Sequence, residues 1–270
     1  MNILIIGAGR MGASIISSWV KNNKCKFLKI SVVEKSIERI RHLKKISSKI
    51  ETYSDIPNNW TGDILFLAIK PQDFKFLSKD IKNKNIVFKN VVSIVAGLTS
   101  NKIKTMLQTS QDITRVMPNL AVKLNLGISC IYHSKRNGQK NKKKINNLFS
   151  VLGSTIYIKE EKLLEAVTAI SGSGPAYFFL FLLVFEDIAK DLGFSNKVSK
   201  DLVFATILGA VELAKKESNT KSLIKSVSSK RGTTEAALKV LEKSNAGLYT
   251  LMRKAIYAAK DRANEISKSI

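Results

Sequence analysis

Three short stretches of this chain have residue types and spacings that could do chemistry. The first is Gly7-Ala8-Gly9-Arg10-Met11-Gly12, which leaves an apolar run and opens a helical pattern. Gly7 permits a tight turn out of a strand, Gly9 lets the backbone approach a pyrophosphate, and Gly12 lets the helix pack against the sheet. The helix start then presents free N–H groups to an anion. Glu34 ends the next apolar run, 22 residues after Gly12, which completes the context a dinucleotide-binding turn requires. A carboxylate there would bind the ribose hydroxyls of NAD and repel a 2′-phosphate. Lys35 and Ser36 follow at once and can serve a 2′-phosphate, so the stretch leans to NAD and leaves NADP open.

The second stretch is Ile170-Ser171-Gly172-Ser173-Gly174-Pro175-Ala176-Tyr177. Proline is favoured in the first turn of a helix and serine as its cap, so these residues predict a helix start with bare amides. Such a start either docks against another helix or admits a ligand to the backbone. The third stretch, Gly232-Thr233-Thr234-Glu235, predicts another helix start. Two strand ends could also line a ligand pocket or be ordinary turns. One is Ala68-Ile69-Lys70-Pro71-Gln72, where Pro71 favours an extended Lys70. The other is Ser93-Ile94-Val95-Ala96-Gly97.

The elements that would hold these residues follow from the apolar pattern. Strands are predicted at 2–6, 30–33, 63–69, 91–96, 113–117, near 127–132 and at 154–158, with helices between them at about 10–21, 37–45 and 138–150. Continuous apolar strands alternating with helices imply a mostly parallel sheet covered on both faces. Beyond residue 158 the strand signals stop and helical periodicity takes over. The expected fold class is therefore α/β, with a dinucleotide-binding domain at 1–158 and an all-α domain at 159–270.

Composition narrows the function classes. The 270 residues hold 45 basic and 21 acidic side chains, a net charge of +24. Most of the excess lies in residues 1–158, with 27 basic against eight acidic groups. A nucleic acid, an anionic membrane or a phosphorylated cofactor could be drawn to it. The lysines are scattered, and only eight of the basic residues are arginines, which favours a solvated surface over a nucleic-acid face. The apolar run Ala176–Phe185 is ten residues long, about half of a bilayer span, and is expected to be buried in a core or between subunits. No membrane partner is expected. Cys25, Cys130, His42 and His133 are isolated and suggest neither a metal site nor a triad. Two separate cysteines and the absence of a leader pattern suggest a cytoplasmic protein.

Taken together and in this order, the motifs resemble those of the Δ1-pyrroline-5-carboxylate reductase family. The resemblance rests on Gly7–Gly12, Ala68–Gln72, Ser93–Gly97, Arg115-Val116-Met117-Pro118-Asn119, Ser171–Tyr177 and Arg231-Gly232-Thr233-Thr234. It implies a Rossmann-like N-terminal domain that binds NADPH or NADH, and a helical C-terminal domain that interleaves with that of a second copy. It implies an active site between the domains, to which both chains of a dimer contribute, and dimers able to assemble into a decamer. The substrate implied is 1-pyrroline-5-carboxylate, reduced to L-proline in the last step of proline synthesis.

Such a reaction needs an anion site for the carboxylate, a donor near the imine nitrogen and stacking over the nicotinamide, but no metal. By the resemblance, Thr234 is the catalytic hydroxyl at the imine nitrogen. Gly232, Thr233 and Thr234 hold the carboxylate, and Ser173 and Gly174 frame the substrate. Gly7–Gly12, Glu34, Lys35, Ser36, Ala68, Ile69, Lys70, Pro71, Ala96, Gly97, Met117, Pro118 and Asn119 bind the cofactor. Two departures stand out. Leu120-Ala121-Val122 replaces the family's Thr-Pro-Ala, and Lys230-Arg231 replaces its Pro-Gly before the Gly-Thr-Thr element. The alternatives are a related two-domain hydroxyacid or ketoacid dehydrogenase, for which Lys190 is the available lysine, and a non-catalytic nucleotide-binding protein.

Overall fold

The computed structural model describes residues 1–26, 28–134, 139–217 and 219–269. Among them, one sheet carries eight strands: β1 (Asn2–Ile6), β2 (Lys29–Val33), β3 (Glu51–Tyr53), β4 (Ile64–Leu67), β5 (Asn90–Ser93), β6 (Asp112–Pro118), β7 (Gly127–His133) and β8 (Gly153–Tyr157). Their order is β3-β2-β1-β4-β5-β6-β7-β8. Neighbours run parallel except β6 and β7. The link between those two is a single short turn, Leu120–Leu124, too short for the crossover that a parallel pair needs. The first six strands follow the 3-2-1-4-5-6 order of a Rossmann dinucleotide-binding sheet. β3 escapes a reading by apolar runs because it is a three-residue edge strand, Glu-Thr-Tyr.

Helices α1 (Arg10–Lys21), α2 (Ile37–Ile46), α3 (Phe74–Asn83), α4 (Ser100–Leu107) and α5 (Gln139–Ser150) cover the two faces of the sheet. Successive strand residues point to opposite sides, and the core divides accordingly. Ile3, Ile5 and Phe66 pack on one face with Trp19 of α1 and Phe149 of α5. Leu4, Ile6, Leu65 and Leu67 pack on the other with Phe74 of α3 and Ile103 of α4. Continuous apolar strands are thus buried on both sides, as the sequence predicts.

The remainder is helical: α6 (Leu163–Val167), α7 (Gly174–Asp191), α8 (Asn196–Lys216), α9 (Thr220–Val227), α10 (Thr233–Leu241) and α11 (Leu248–Ser269). The chain divides into two compact units, Met1–Ser173 with Ala259–Ile270, and Gly174–Ala258. The first unit runs past residue 158 because Arg115 in β6, 1% exposed, draws the following segment onto the sheet. Its Nη1 donates to Glu161 Oε1 at 2.9 Å and lies 3.9 Å from Glu165 Oε1. Glu161 also accepts from the backbone N–H and hydroxyl of Ser100, at 2.6 and 2.7 Å, and so fixes the start of α4. The end of α11 returns to the same unit, where Lys102 Nζ donates to the Ser267 carbonyl at 2.7 Å.

One expectation needs correction. Ser171–Pro175 is not a free helix start. A π-helical turn, Thr168–Gly172, joins α6 to α7, so the chain is helical on both sides of Pro175. Proline lacks an N–H and its ring crowds the carbonyl four residues back, here that of Ser171, which the wider turn accommodates. The run Ala176–Phe185, expected in a core or between subunits, is not part of this chain's own core, which leaves the subunit alternative. Phe178 is 68% exposed and Leu180 61%. The continuous helical stretch Leu163–Asp191 is also long and apolar enough to cross a membrane by length and composition alone.

Arg115→Ala would leave the buried Glu165 and the partly buried Glu161 without their cation. It should lower unfolding free energy by about 3–5 kcal/mol, read as a fall in the urea midpoint. An unchanged midpoint would show that the segment from Glu161 to Ser173 is held by apolar packing alone.

Candidate functional site

The N-terminal site is built around the end of β1. Gly7 has φ +95° and donates its N–H to the Val33 carbonyl at 2.9 Å. A Cβ on Gly7 would stand 2.6 Å from the Ala68 carbonyl oxygen, and one on Gly12 would stand 2.7 Å from the Gly7 carbonyl oxygen. These two glycines serve the protein's own packing, at the junction of β1, β2, β4 and α1. Gly9 differs, since a Cβ there would meet nothing within 4 Å. Its bare backbone faces open space, which is the fit that a pyrophosphate needs. Gly9 also begins α1 without a capping side chain, and α1 has no acidic residue in its first turn. The first amides of that helix are therefore available to an anion.

A groove of about 870 Å³ opens on this turn. Gly7, Gly9, Arg10, Met11 and Gly12 line it from the α1 side, Glu34 and Lys35 from the end of β2, and Ala68, Ile69 and Lys70 from the end of β4. Lys70 is extended (φ −74°, ψ 146°) and Pro71 starts a helical turn, as predicted. Ser36 caps α2, its hydroxyl accepting from the Arg39 N–H. Ala8 is buried and donates its N–H to Glu34 Oε2 at 2.9 Å. Gln72, from the stretch singled out by sequence, lines the groove, as do Arg39 and Phe76, which sequence reasoning missed. Arg39 lies one helical turn beyond the acidic residue that the motif singles out, and only the fold of α2 turns it back toward the site.

Glu34 is 8% exposed. Burial alone would raise its pKa, but the N–H groups of Ser36 (3.0 Å) and Ala8 and the Arg39 guanidinium (3.4 Å) outweigh it and hold the carboxyl below its usual range. Glu34 thus stays ionised at neutral pH.

Other residues singled out by sequence lie elsewhere in the same unit. Gly97 has φ +74° and packs under the end of α11, with Ser267 backbone atoms 3.0 Å from where a Cβ would be. Met117 and Pro118 are buried at the end of β6. Asn119 Oδ1 accepts the Ile128 N–H at 3.2 Å, which ties the start of β7 to the end of β6. Ala96, Gly97 and these three are not among the groove's lining.

The remaining candidates are Ser173, the last residue of the first unit's main segment, and residues of the second unit. Gly232 is the N-cap of α10, with no side-chain cap, so the amides of Thr233 and Thr234 open the helix uncapped. A Cβ on Gly232 would collide with the Ser229 hydroxyl. Arg231 sits at φ +62°, a conformation suited to the glycine it replaces, and its N–H donates to the Glu235 carboxylate. Ser173 closes the π turn, its N–H donating to the Thr168 carbonyl at 2.8 Å, and a Cβ on Gly174 would meet nothing within 4 Å. Lys190, the lysine a hydroxyacid dehydrogenase would require, pairs with Asp187 at 2.8 Å in the last turn of α7.

The glycines separate folding from binding. Gly7→Ala should destabilise the protein by about 1–3 kcal/mol through forced φ and contact with the Ala68 carbonyl. Gly9→Ala should keep the wild-type melting curve and weaken NADP+ binding about tenfold or more in calorimetric titration. Unchanged affinity in folded Gly9→Ala would remove the pyrophosphate from this turn.

Comparison with known proteins agrees with this geometry. Residues 161–266 match a family model described as pyrroline-5-carboxylate reductase dimerisation. Residues 2–97 match one described as NADP oxidoreductase, coenzyme F420-dependent. A pyrroline-5-carboxylate reductase of Staphylococcus haemolyticus is 30% identical over 100% of this chain and 99% of its own length. One of Vibrio alginolyticus is 31% identical over 98% and 97%. Among solved structures, the enzyme of Coxiella burnetii superposes with a TM-score of 0.83 at 29% identity, covering 98% of each chain. The Plasmodium falciparum pyrroline carboxylate reductase with NADP bound gives 0.83 at 26% identity, over 99% and 98%. Kinship of this depth from end to end, on the same backbone, places the chain in the pyrroline-5-carboxylate reductase family.

Proposed function

We propose that this chain reduces 1-pyrroline-5-carboxylate to L-proline with NADPH or NADH. The observation that carries the proposal is the full-length kinship with pyrroline-5-carboxylate reductases, joined to an uncapped glycine turn shaped for a dinucleotide. When bound, the cofactor supplies a hydride from nicotinamide C4 to the imine carbon. The chain's own residues bind and orient. The α10 amides of Thr233 and Thr234, with Gly232 allowing close approach, hold the substrate carboxylate. The Thr234 hydroxyl donates to the imine nitrogen, and as the C=N π pair shifts onto nitrogen the hydroxyl proton passes to it and is replaced from water. Ser173 and Gly174 frame the substrate. Ala96, Gly97, Met117, Pro118 and Asn119 stand on the nicotinamide side, where Asn119 keeps its amide N–H groups to offer, its oxygen being bonded to Ile128.

In this reading residues 1–158 bind the dinucleotide, and 159–270 bind substrate and a second copy of the chain. Exposed Phe178, Phe179, Leu180 and Phe181 on α7, with Leu208 on α8, support a self-interface, since apolar surface of this extent marks a docking face. Interleaved helical domains, and assembly of such dimers into a decamer, extend the family resemblance. Two free, buried thiols, both raised by burial, fit a reducing cytoplasm.

Thr234→Ala should lower kcat by about 100-fold or more, with NADPH affinity nearly unchanged and Thr234→Ser retaining most turnover. Wild-type turnover in the alanine variant would take Thr234 out of the chemistry. Phe178→Glu with Leu180→Glu should convert the dimer to monomer in sedimentation velocity. A dimer that survives both charges would place the self-interface on another face.

A further inference from the structure

The guanidinium of Arg39 stands 3.4 Å from the buried carboxylate of Glu34. Both lie in the groove of the first unit, at the end of β2 and in the first turn of α2. Resting on the dinucleotide reading above, we infer that Arg39 is the residue that admits the 2′-phosphate of NADPH, whereas Glu34 serves the ribose of NADH.

Glu34 Oε2 accepts the Ala8 N–H at 2.9 Å and lies 3.4 Å from Arg39 Nη1. Among the described residues Oε1 accepts the Ser36 N–H at 3.0 Å, which leaves it a lone pair for a ribose hydroxyl. A 2′-phosphate at that place would meet the Glu34 charge unless a cation intervened. Arg39 is that cation. Its side chain is 57% exposed while that of Glu34 is 8% exposed, so the guanidinium is free to turn outward while the carboxylate stays fixed.

Its position in the helix argues the same way. Arg39 is the third residue of α2, where a positive charge opposes the helix dipole and adds nothing to helix stability. A phosphate at that helix start would reverse the balance, and the forked guanidinium suits a phosphate better than the point charge of Lys35. Asp55, which also lines the groove, lies 3.6 Å from Lys84 and is partly neutralised by it.

NADP+ and NAD+ differ only by the phosphate, so calorimetric titration of each isolates its contribution. Wild type should bind both. Arg39→Ala should weaken NADP+ about tenfold or more and NAD+ by less than about twofold, whereas Lys35→Ala should weaken NADP+ by less than about threefold. Glu34→Gln should tighten NADP+ and weaken NAD+. Raising salt should weaken NADP+ more than NAD+ in wild type and erase that difference in Arg39→Ala. Equal losses for both nucleotides in Arg39→Ala, no loss at all, or a loss that falls on Lys35→Ala would overturn the assignment and leave the dinucleotide site standing. Failure of wild type to bind either nucleotide would overturn both.

Discussion

The turn between β1 and α1 depends on one steric limit. At the end of β1 there is no room for a side chain, because Gly7 lies against the Ala68 carbonyl and Gly12 against the carbonyl of Gly7. That closeness sets the first turn of α1 directly over the ends of β1 and β4. It aims the helix's free amides at the groove and brings the Ala8 N–H to Glu34. Gly9, in the same turn, has no such neighbour. The turn is thus tight where the fold needs it and open where a ligand would lie. The charged residues at its rim, Glu34, Lys35, Arg39 and Lys70, act on whatever that opening holds.

A second constraint is electrostatic. Arg115 is buried in the middle of the sheet, and a buried guanidinium requires partners. Glu161 and Glu165 supply them, and Glu161 also takes the first amide and hydroxyl of α4. One ion cluster therefore joins β6, α4 and the segment that leads through the π turn to α7. The residues that carry substrate contacts in the proposed function begin directly after that segment, at Ser173 and Gly174.

Much of this was legible in the amino-acid sequence, for physical reasons that differ from place to place. β1, β2, β4 and β5 could be read because a strand buried on both faces is apolar throughout. The glycine turn could be read because its glycines occur at a spacing that steric contact imposes. β3 could not, since three residues at a sheet edge carry no apolar signature. The π turn could not, because serine, glycine and proline signal a helix start whether or not another helix precedes them. The partners of Arg115 are 46 and 50 residues away in the chain, and only the fold brings them together. Arg39 was hidden because the motif points to the end of β2, while the helix that follows returns a cation to the same spot. Exposure of the α7 face was masked by its composition, which suits a core and an interface equally well.

The most direct test of the account is to follow the transferred hydrogen. Purified protein would be given 1-pyrroline-5-carboxylate and NADPH deuterated at nicotinamide C4 on the transferred face, and the product examined by mass spectrometry and NMR. The product should be L-proline carrying one deuterium at C5, the former imine carbon. Unlabelled proline, or no turnover with either NADPH or NADH, would contradict the proposed reaction.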